Sequence, residues 1–358
     1  MRVLIATDAW RPQINGVVHT YERLASAAVE FGVEIVFLTP SDFKTIPCPT
    51  YPEIRLAVPG YKYVLEHLDV VAPDAFHIAT EGPIGWMVRR YCIRRGFPFT
   101  TAFHTRFPEY ISERFGVPAS WIYAIERSFH NRGSGIMVAS RSLANELEKR
   151  AFKPILPWTR GVDTAMFYPR DVRRFGTTSP VFIYVGRVAV EKNIEAFLKA
   201  KITGQKVVVG TGPMLDELRC RYPDVTFTGK LTGQDLAEAY ASADVFVFPS
   251  LTDTFGIVLI EAMASGLPVA AYPVTGPIDN VRHGVSGILD QDLSKAAVLA
   301  LELDRDKVRE HALNFSWKTT AKLFIENIET AIFSREGRQI PGRRKSSILQ
   351  HMRSFSKF

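Results

Sequence analysis

Short, unbroken apolar runs rich in Val, Ile and Phe alternate along this chain with longer segments of helical period, and the alternation occurs twice. Residues 3–6, 33–38, 75–78, 99–103 and 136–139 read as buried strands. A break falls at 158–168, a polar stretch follows at 170–179, and the pattern resumes at 181–185, 206–209, 225–227, 245–248 and 268–271. Continuous rather than alternating apolar strands are what a parallel sheet demands when helices cover both of its faces. The expected class is therefore α/β, with two doubly wound, Rossmann-like domains of similar size. The expected division is 1–165, 166–313, a closing helix at 314–333 that packs back on the first domain, and a basic tail at 334–358. Phe315, Trp317, Leu323, Phe324, Ile328 and Ile332 fall mostly on one stripe of that closing helix.

With 46% hydrophobic and 23% charged residues over 358 positions, the chain has the make-up of a globular protein of two domains and not of a fibrous or disordered one. The sequence reaches Asp8 before a signal-peptide apolar segment forms, and no apolar run approaches the ~18 residues that span a bilayer, so a cytosolic protein is expected. Cys48, Cys92 and Cys220 are odd in number and widely spaced, which suggests neither a disulfide framework nor a zinc site. The formal charge is +7, and the last 25 residues hold +6 of it, seven basic residues against Glu336. Charge so localised points to a tail that meets an anionic surface, with Ile348, Leu349, Met352, Phe355 and Phe358 as an interfacial face; it argues against a chain-wide nucleic-acid footprint.

The residues that suggest chemistry sit where strands give way to helices. Gly16 lies in the turn between the first strand and a helix expected from about His19, a place where backbone amides approach a phosphate and the helix dipole favours an anion; the alternative is a plain turn glycine. Gly-x-Gly-x-x-Gly is absent at this turn, which argues against a dinucleotide cofactor. In the second half, Arg187 and Lys192 leave the end of its first strand together, which suits a grip on two phosphates as well as it suits a solvated loop. Asp253 lies in the loop after a later strand, Phe255, Gly256, Ile257 and Val258 form the turn that opens the next helix, and Glu261 lies inside that helix. Carboxylates placed this way accept hydrogen bonds from vicinal hydroxyls of a ribose or hexose; a helix cap and a helix glutamate would also account for them singly.

Taken jointly, five stretches give the chain a resemblance to the family 4 retaining glycosyltransferases of the GT-B fold. They are 12–18, 102–110 (Ala-Phe-His104-Thr-Arg-Phe-Pro-Glu-Tyr), 160–169, 186–193 and 253–261, and the resemblance covers nearly all of 1–333. The family's last stretch normally reads Glu-x7-Glu; here the first acid is Asp253, one methylene shorter. The resemblance implies that Gly16, Arg187 and Lys192 meet the donor diphosphate and that Glu261 holds the nucleotide ribose. It further implies that Asp253 holds the sugar hydroxyls and that His104 positions the sugar and supports charge at the reacting centre. It also implies a nucleotide-sugar co-substrate, retention of configuration, and no metal or other cofactor.

In such enzymes the N-terminal domain chooses the acceptor. Two segments there are unusual: 86–95, where Trp86, Ile93 and four arginines mix, and 107–129, rich in aromatics including Tyr110, Phe115, Trp121, Tyr123 and Phe129. The favoured expectation for the first is that Trp86 and Ile93 face the sheet while the arginines face water. The resemblance is strongest to bacterial enzymes that glycosylate diacylglycerol or phosphatidylinositol and to plant sulfolipid synthases. It implies transfer of an α-linked hexose or hexuronic acid from a UDP-sugar to diacylglycerol, at the inner face of an anionic membrane. The alternatives are a GDP-mannose-dependent α-mannosyltransferase acting on phosphatidylinositol or polysaccharide, and, outside the class, a nucleotide-sugar 2-epimerase or a non-catalytic binding module.

Overall fold

The computed structural model describes residues 1–11, 16–48, 51–58, 60–104, 106–176, 179–253 and 255–335. The expectations for the basic tail and for residues 12–15 of the first loop lie outside the described residues. The chain forms two compact units, Met1–Thr159 with the helix that begins at Trp317, and Arg160–Ser316.

The first unit runs β1 (Arg2–Ala6), α1 (Gly16–Ala28), β2 (Glu34–Leu38), β3 (Thr45–Cys48), β4 (Tyr51–Ala57), α2 (Tyr61–Val71), β5 (Ala75–Ile78), α3 (Pro83–Arg95) and β6 (Phe99–Phe103). It continues with α4 (Phe107–Phe115), α5 (Ala119–His130), β7 (Gly135–Val138), α6 (Arg141–Lys149) and β8 (Ile155–Pro157). Six strands form one sheet in the order β2-β1-β5-β6-β7-β8, every pair parallel. β5, β6 and β7 are buried at every position, as strands covered on both faces must be.

The second unit runs β9 (Val181–Val185), α7 (Ile194–Lys199), β10 (Gln205–Val209), α8 (Leu215–Arg221), β11 (Thr226–Gly229), α9 (Gly233–Ala241), β12 (Val245–Phe248) and α10 (Ile257–Ala264). β13 (Val269–Ala271), α11 (Pro277–Asn280), β14 (Gly287–Leu289), α12 (Leu293–Ala300) and α13 (Arg305–Ala312) complete it. Its sheet is also six-stranded and parallel, ordered β11-β10-β9-β12-β13-β14. The strand order reverses between β1 and β5 in one sheet and between β9 and β12 in the other. Ligands of open α/β sheets bind outside the carboxyl ends of the strands at such reversals.

Four strands escape the apolar-run pattern. β3 and β4 pair as an antiparallel hairpin through a segment whose Pro47 and Pro52 read as turn. β8 and β14 are three residues each and edge their sheets beside Pro157 and Gly287. α3 also departs from expectation. It buries Ile84, Gly85, Val88, Tyr91 and Cys92, so Trp86 and Ile93 share the water side with Arg90 and Arg94 instead of facing the sheet. Spacings of four, seven and eight residues from Trp86 put all four on one stripe.

α14 (Trp317–Arg335) ends the described chain and closes the first unit. Ala321, Phe324, Ile325 and Ile328 pack with Val3, Ile5, Tyr21, Leu24 and Trp158 in one core. The Trp158 indole donates to the Thr320 carbonyl at 3.2 Å, and the Asn327 amide donates to the Pro157 carbonyl at 2.8 Å. Phe315 belongs elsewhere: in the second unit it meets Phe255 and His311 edge-on, at 6.3 and 5.6 Å between centroids. Phe324 is fully buried. Phe324→Ala is expected to lower the stability of this unit by about 3–5 kcal/mol, whereas Lys322→Ala, on the exposed face, changes it by less than about 0.5 kcal/mol. Urea melts of the two variants check this.

Candidate active site

In the second unit, the two loops that diverge at the strand-order reversal bring Lys192 and Asp253 into contact. The loop after β9 ends in a short 3-10 turn, Val190–Lys192, and the loop after β12 leads into α10. Lys192 Nζ donates to Asp253 Oδ1 at 2.6 Å, across 61 positions of sequence. Both side chains are largely buried, and Asp253 Oδ2 is buried without a hydrogen-bond partner among the described residues. Asn193, in a left-handed conformation (φ 49°), donates from Nδ2 to the Pro249 carbonyl at 3.1 Å and pins one loop to the other. Arg187 is half-exposed, with its guanidinium 3.8 Å from Glu191, and its own carbonyl accepts the Tyr184 hydroxyl at 2.7 Å.

Gly256 caps α10 at φ 79°, a region that side chains with a Cβ rarely adopt. The chain therefore turns abruptly after the buried Phe255, and the partly exposed Gly256, Ile257 and Val258 stand at the positive end of the helix. Glu261 lies one turn further on and accepts the Tyr240 hydroxyl at Oε2, 3.1 Å. Burial pushes its carboxyl up to about 7, against the lowering effect of that hydrogen bond. Tyr240 senses the charge of Glu261, and Tyr184 that of Asp253, so these groups share one electrostatic neighbourhood.

His104 belongs to the first unit, at the carboxyl end of β6. Its Nε2 lies 2.8 Å from the Tyr21 hydroxyl, which lies 2.8 Å from His77 Nε2, and His77 Nδ1 lies 2.8 Å from Thr100 Oγ1. A phenol has one proton to give, so with both rings neutral one of them accepts it and the other donates to the phenol oxygen, and the tautomers of His104 and His77 are coupled. Trp158 meets His104 and Tyr21 at 6.0 and 5.6 Å. Gly16 is the exposed first residue of α1, and its carbonyl accepts the Thr20 hydroxyl at 2.6 Å.

Some groups at these loops were not singled out from sequence. Asn193 and Tyr240 carry no local signal beyond their neighbourhood, but His77 does, as a histidine inside an otherwise apolar strand, Ala-Phe-His-Ile. At the reversal in the first sheet, Asp8 accepts the amides of Ile84 and Gly85 at 2.9 and 3.2 Å and holds the start of α3. A Cβ on Gly82 would lie 2.3 Å from Asp8 Cγ, so only glycine fits there. Beside it, Glu81 meets His130 at 3.1 Å and Glu109 accepts the Tyr123 hydroxyl at 2.6 Å. Glu126 is buried near both acids, and its Oε2 has no hydrogen-bond partner among the described residues.

Residues 179–303 match the family model described as Glycosyl transferases group 1, and residues 14–166 match the one described as Glycosyltransferase Family 4. The GDP-mannose-dependent alpha-mannosyltransferase of Mycolicibacterium smegmatis is 31% identical, over 94% of this chain and 99% of its own. The chain is a family 4 glycosyltransferase. The alpha-monoglucosyldiacylglycerol synthase of Streptococcus pneumoniae is 24% identical over 88% of this chain and 81% of its own. Among solved structures, a sucrose-phosphate synthase from Thermosynechococcus elongatus superposes with a TM-score of 0.75 at 21% identity, covering 93% of this chain and 99% of that one. The transferase thus has the two-domain fold its sequence implied.

Burial, and then the charges of Glu81 and Glu109, push the Glu126 carboxyl from 4.5 to about 9. The folded protein therefore holds this proton across a range in which the unfolded chain has lost it, and stability falls as pH rises through that window. Glu126→Gln keeps the shape without the titration. Its denaturation midpoint is expected to exceed that of the parent near pH 8 and to vary less between about pH 5 and 9, as read from urea melts along the pH series.

Proposed function

We propose that the enzyme transfers an α-linked hexose or hexuronic acid, with retention of configuration, from a UDP-sugar to a membrane lipid, diacylglycerol. The observation that carries this reading is the Lys192–Asp253 pair at the strand-order reversal of the second sheet. It sets a cation suited to a diphosphate directly against a carboxylate whose second oxygen is buried and unpartnered among the described residues. In this reading that oxygen accepts a hydrogen bond from a sugar hydroxyl.

In this reading Arg187 and Lys192 hold the diphosphate, and the backbone from Phe255 to Val258, which leads into α10, offers amides to it; for Gly16 the diphosphate role is the one the family resemblance implies. Glu261 accepts from the ribose hydroxyls, and His104, held by Tyr21, supports the reacting sugar. The bond from the anomeric carbon to the phosphate oxygen breaks while a bond to the acceptor oxygen forms on the same face, and the acceptor's proton passes to the departing phosphate. Negative charge grows on the diphosphate as it leaves, and the two cations offset it, the task that a bound metal performs in other enzymes. Activity is then expected to be unchanged by a chelator.

A lipid acceptor is supported by the likeness to the pneumococcal synthase and by the outward aromatic and arginine residues of α3. A second reading, GDP-mannose-dependent α-mannosyl transfer to phosphatidylinositol or polysaccharide, is favoured by the likeness to the mycobacterial enzyme. Both use the same donor site.

Labelled UDP-glucose, UDP-glucuronic acid, UDP-galactose and GDP-mannose, each offered with vesicles containing both diacylglycerol and phosphatidylinositol and, separately, with polysaccharide, separate the two readings. Label entering diacylglycerol from a UDP-sugar, as an α-anomer by proton NMR, is the expected result; label entering only phosphatidylinositol or polysaccharide from GDP-mannose replaces it with the second reading. Lys192→Ala is expected to cost about 10²–10³-fold in kcat with the fold intact, and near-parental turnover would remove the diphosphate role.

A further inference from the structure

We infer that the outer faces of α3 and α5 form the surface by which this enzyme docks on an anionic lipid bilayer. The inference rests on the lipid-acceptor reading and names the side of the molecule that serves it.

α3 exposes Trp86, Arg90, Ile93, Arg94 and Arg95, and Phe97 follows just beyond its end; Trp86, Ile93 and Phe97 are each about two-fifths exposed (39%, 42% and 40%). α5 lies alongside, because Phe129 packs edge-on under Trp86 at 4.9 Å and Arg89 donates to the carbonyls of Phe129 and Ser128 at 3.0 and 2.8 Å. α5 in turn exposes Trp121 (67%) and Ile125 (60%), one turn apart. Neither helix exposes an acidic side chain: α3 contains none, and the single acid of α5, Glu126, is buried. The guanidinium carbons of Arg90 and Arg94 sit 4.8 and 5.3 Å from the Tyr61 ring centroid, which holds both cations outward. Trp86, Arg90, Ile93 and Arg94 border a shallow recess of about 390 Å³.

Three properties together select a bilayer as the occupant. Tryptophans with an apolar body and a polar tip settle at the headgroup level of membranes. Arginines beside them meet lipid phosphates, each worth about a kcal/mol near an anionic surface. A second copy of the same face would bring cation against cation, which disfavours self-association through it. Among the described residues no helix is long and apolar enough to cross a membrane, so this contact lies on the surface. The basic C-terminal tail would supply a second, weaker hold.

The test is co-sedimentation of the full chain with vesicles of phosphatidylcholine alone or with phosphatidylglycerol, without diacylglycerol or donor. The parent is expected to bind only the anionic vesicles. Arg90→Ala with Arg94→Ala is expected to weaken binding about 30-fold and to flatten its salt dependence. Trp86→Ala with Ile93→Ser is expected to weaken it at least about 10-fold. Both pairs should keep the parental urea-melt midpoint, which shows that they fold, and parental turnover on diacylglycerol dispersed in detergent. Parental vesicle binding by either pair overturns the inference and leaves docking to the tail. A parental dimer that these substitutions dissociate, with lipid binding unchanged, assigns the face to a second copy and also overturns it. If docking is lost as expected but the parent transfers nothing to dispersed diacylglycerol, the docking surface stands and the acceptor reading fails.

Discussion

Every strand pair in the two six-stranded sheets is parallel, and a parallel pair cannot be closed by a hairpin. Each connection must therefore cross over, and in most of them a helix makes the crossing; the carboxyl ends of all strands then collect on one edge, beside the amino ends of the helices that follow. Strand order has to reverse once, between β9 and β12 in the second unit, and there two loops part instead of packing side by side. Lys192 and Asp253 come from those two loops, and their contact is a consequence of topology before it is one of charge. Asn193, tied to the Pro249 carbonyl, holds the loops at the distance that lets the pair form.

The first unit meets a different demand, because it keeps polar groups inside an apolar sheet. His77 is fully buried, and the hydrogen bonds running through Tyr21 to His104 on one side and to Thr100 on the other are what make that burial tolerable. The same chain fixes the His104 ring. Its walls are Trp158 and Phe324, and Phe324 arrives on α14, the last described element. A helix far along the sequence thus supports a histidine near residue 100 by filling the space against which the hydrogen-bonded relay is packed.

The class of fold was legible because buried parallel strands leave continuous Val, Ile and Phe runs, and those runs coincide with the central strands of both sheets. The hairpin β3–β4 and the three-residue edges β8 and β14 were not, since prolines and glycines there read as turns and three residues are too few to show an apolar run. Arg187, Lys192, Asp253, Glu261 and His104 stood out by motif. Tyr240 and Tyr21, which meet Glu261 and His104, did not, because those contacts join positions 21 and 83 residues apart. The orientation of α3 ran against expectation. Val88, Tyr91 and Cys92 won the buried face, and an aromatic residue among arginines gives no clue from composition alone to which side it takes.

The account turns on the Lys192–Asp253 pair as the place where a donor's diphosphate and sugar meet. Calorimetric titration of UDP, UDP-glucose and GDP-mannose into the parent, Lys192→Ala and Asp253→Asn addresses it most directly. Loss of Lys192 should weaken the free nucleotide diphosphate and its sugar form alike, by about tenfold or more. Asp253→Asn should leave the free diphosphate nearly unchanged and erase the affinity added by the sugar. If both variants bind all three ligands as the parent does, the pair is a structural salt bridge and the donor site lies elsewhere.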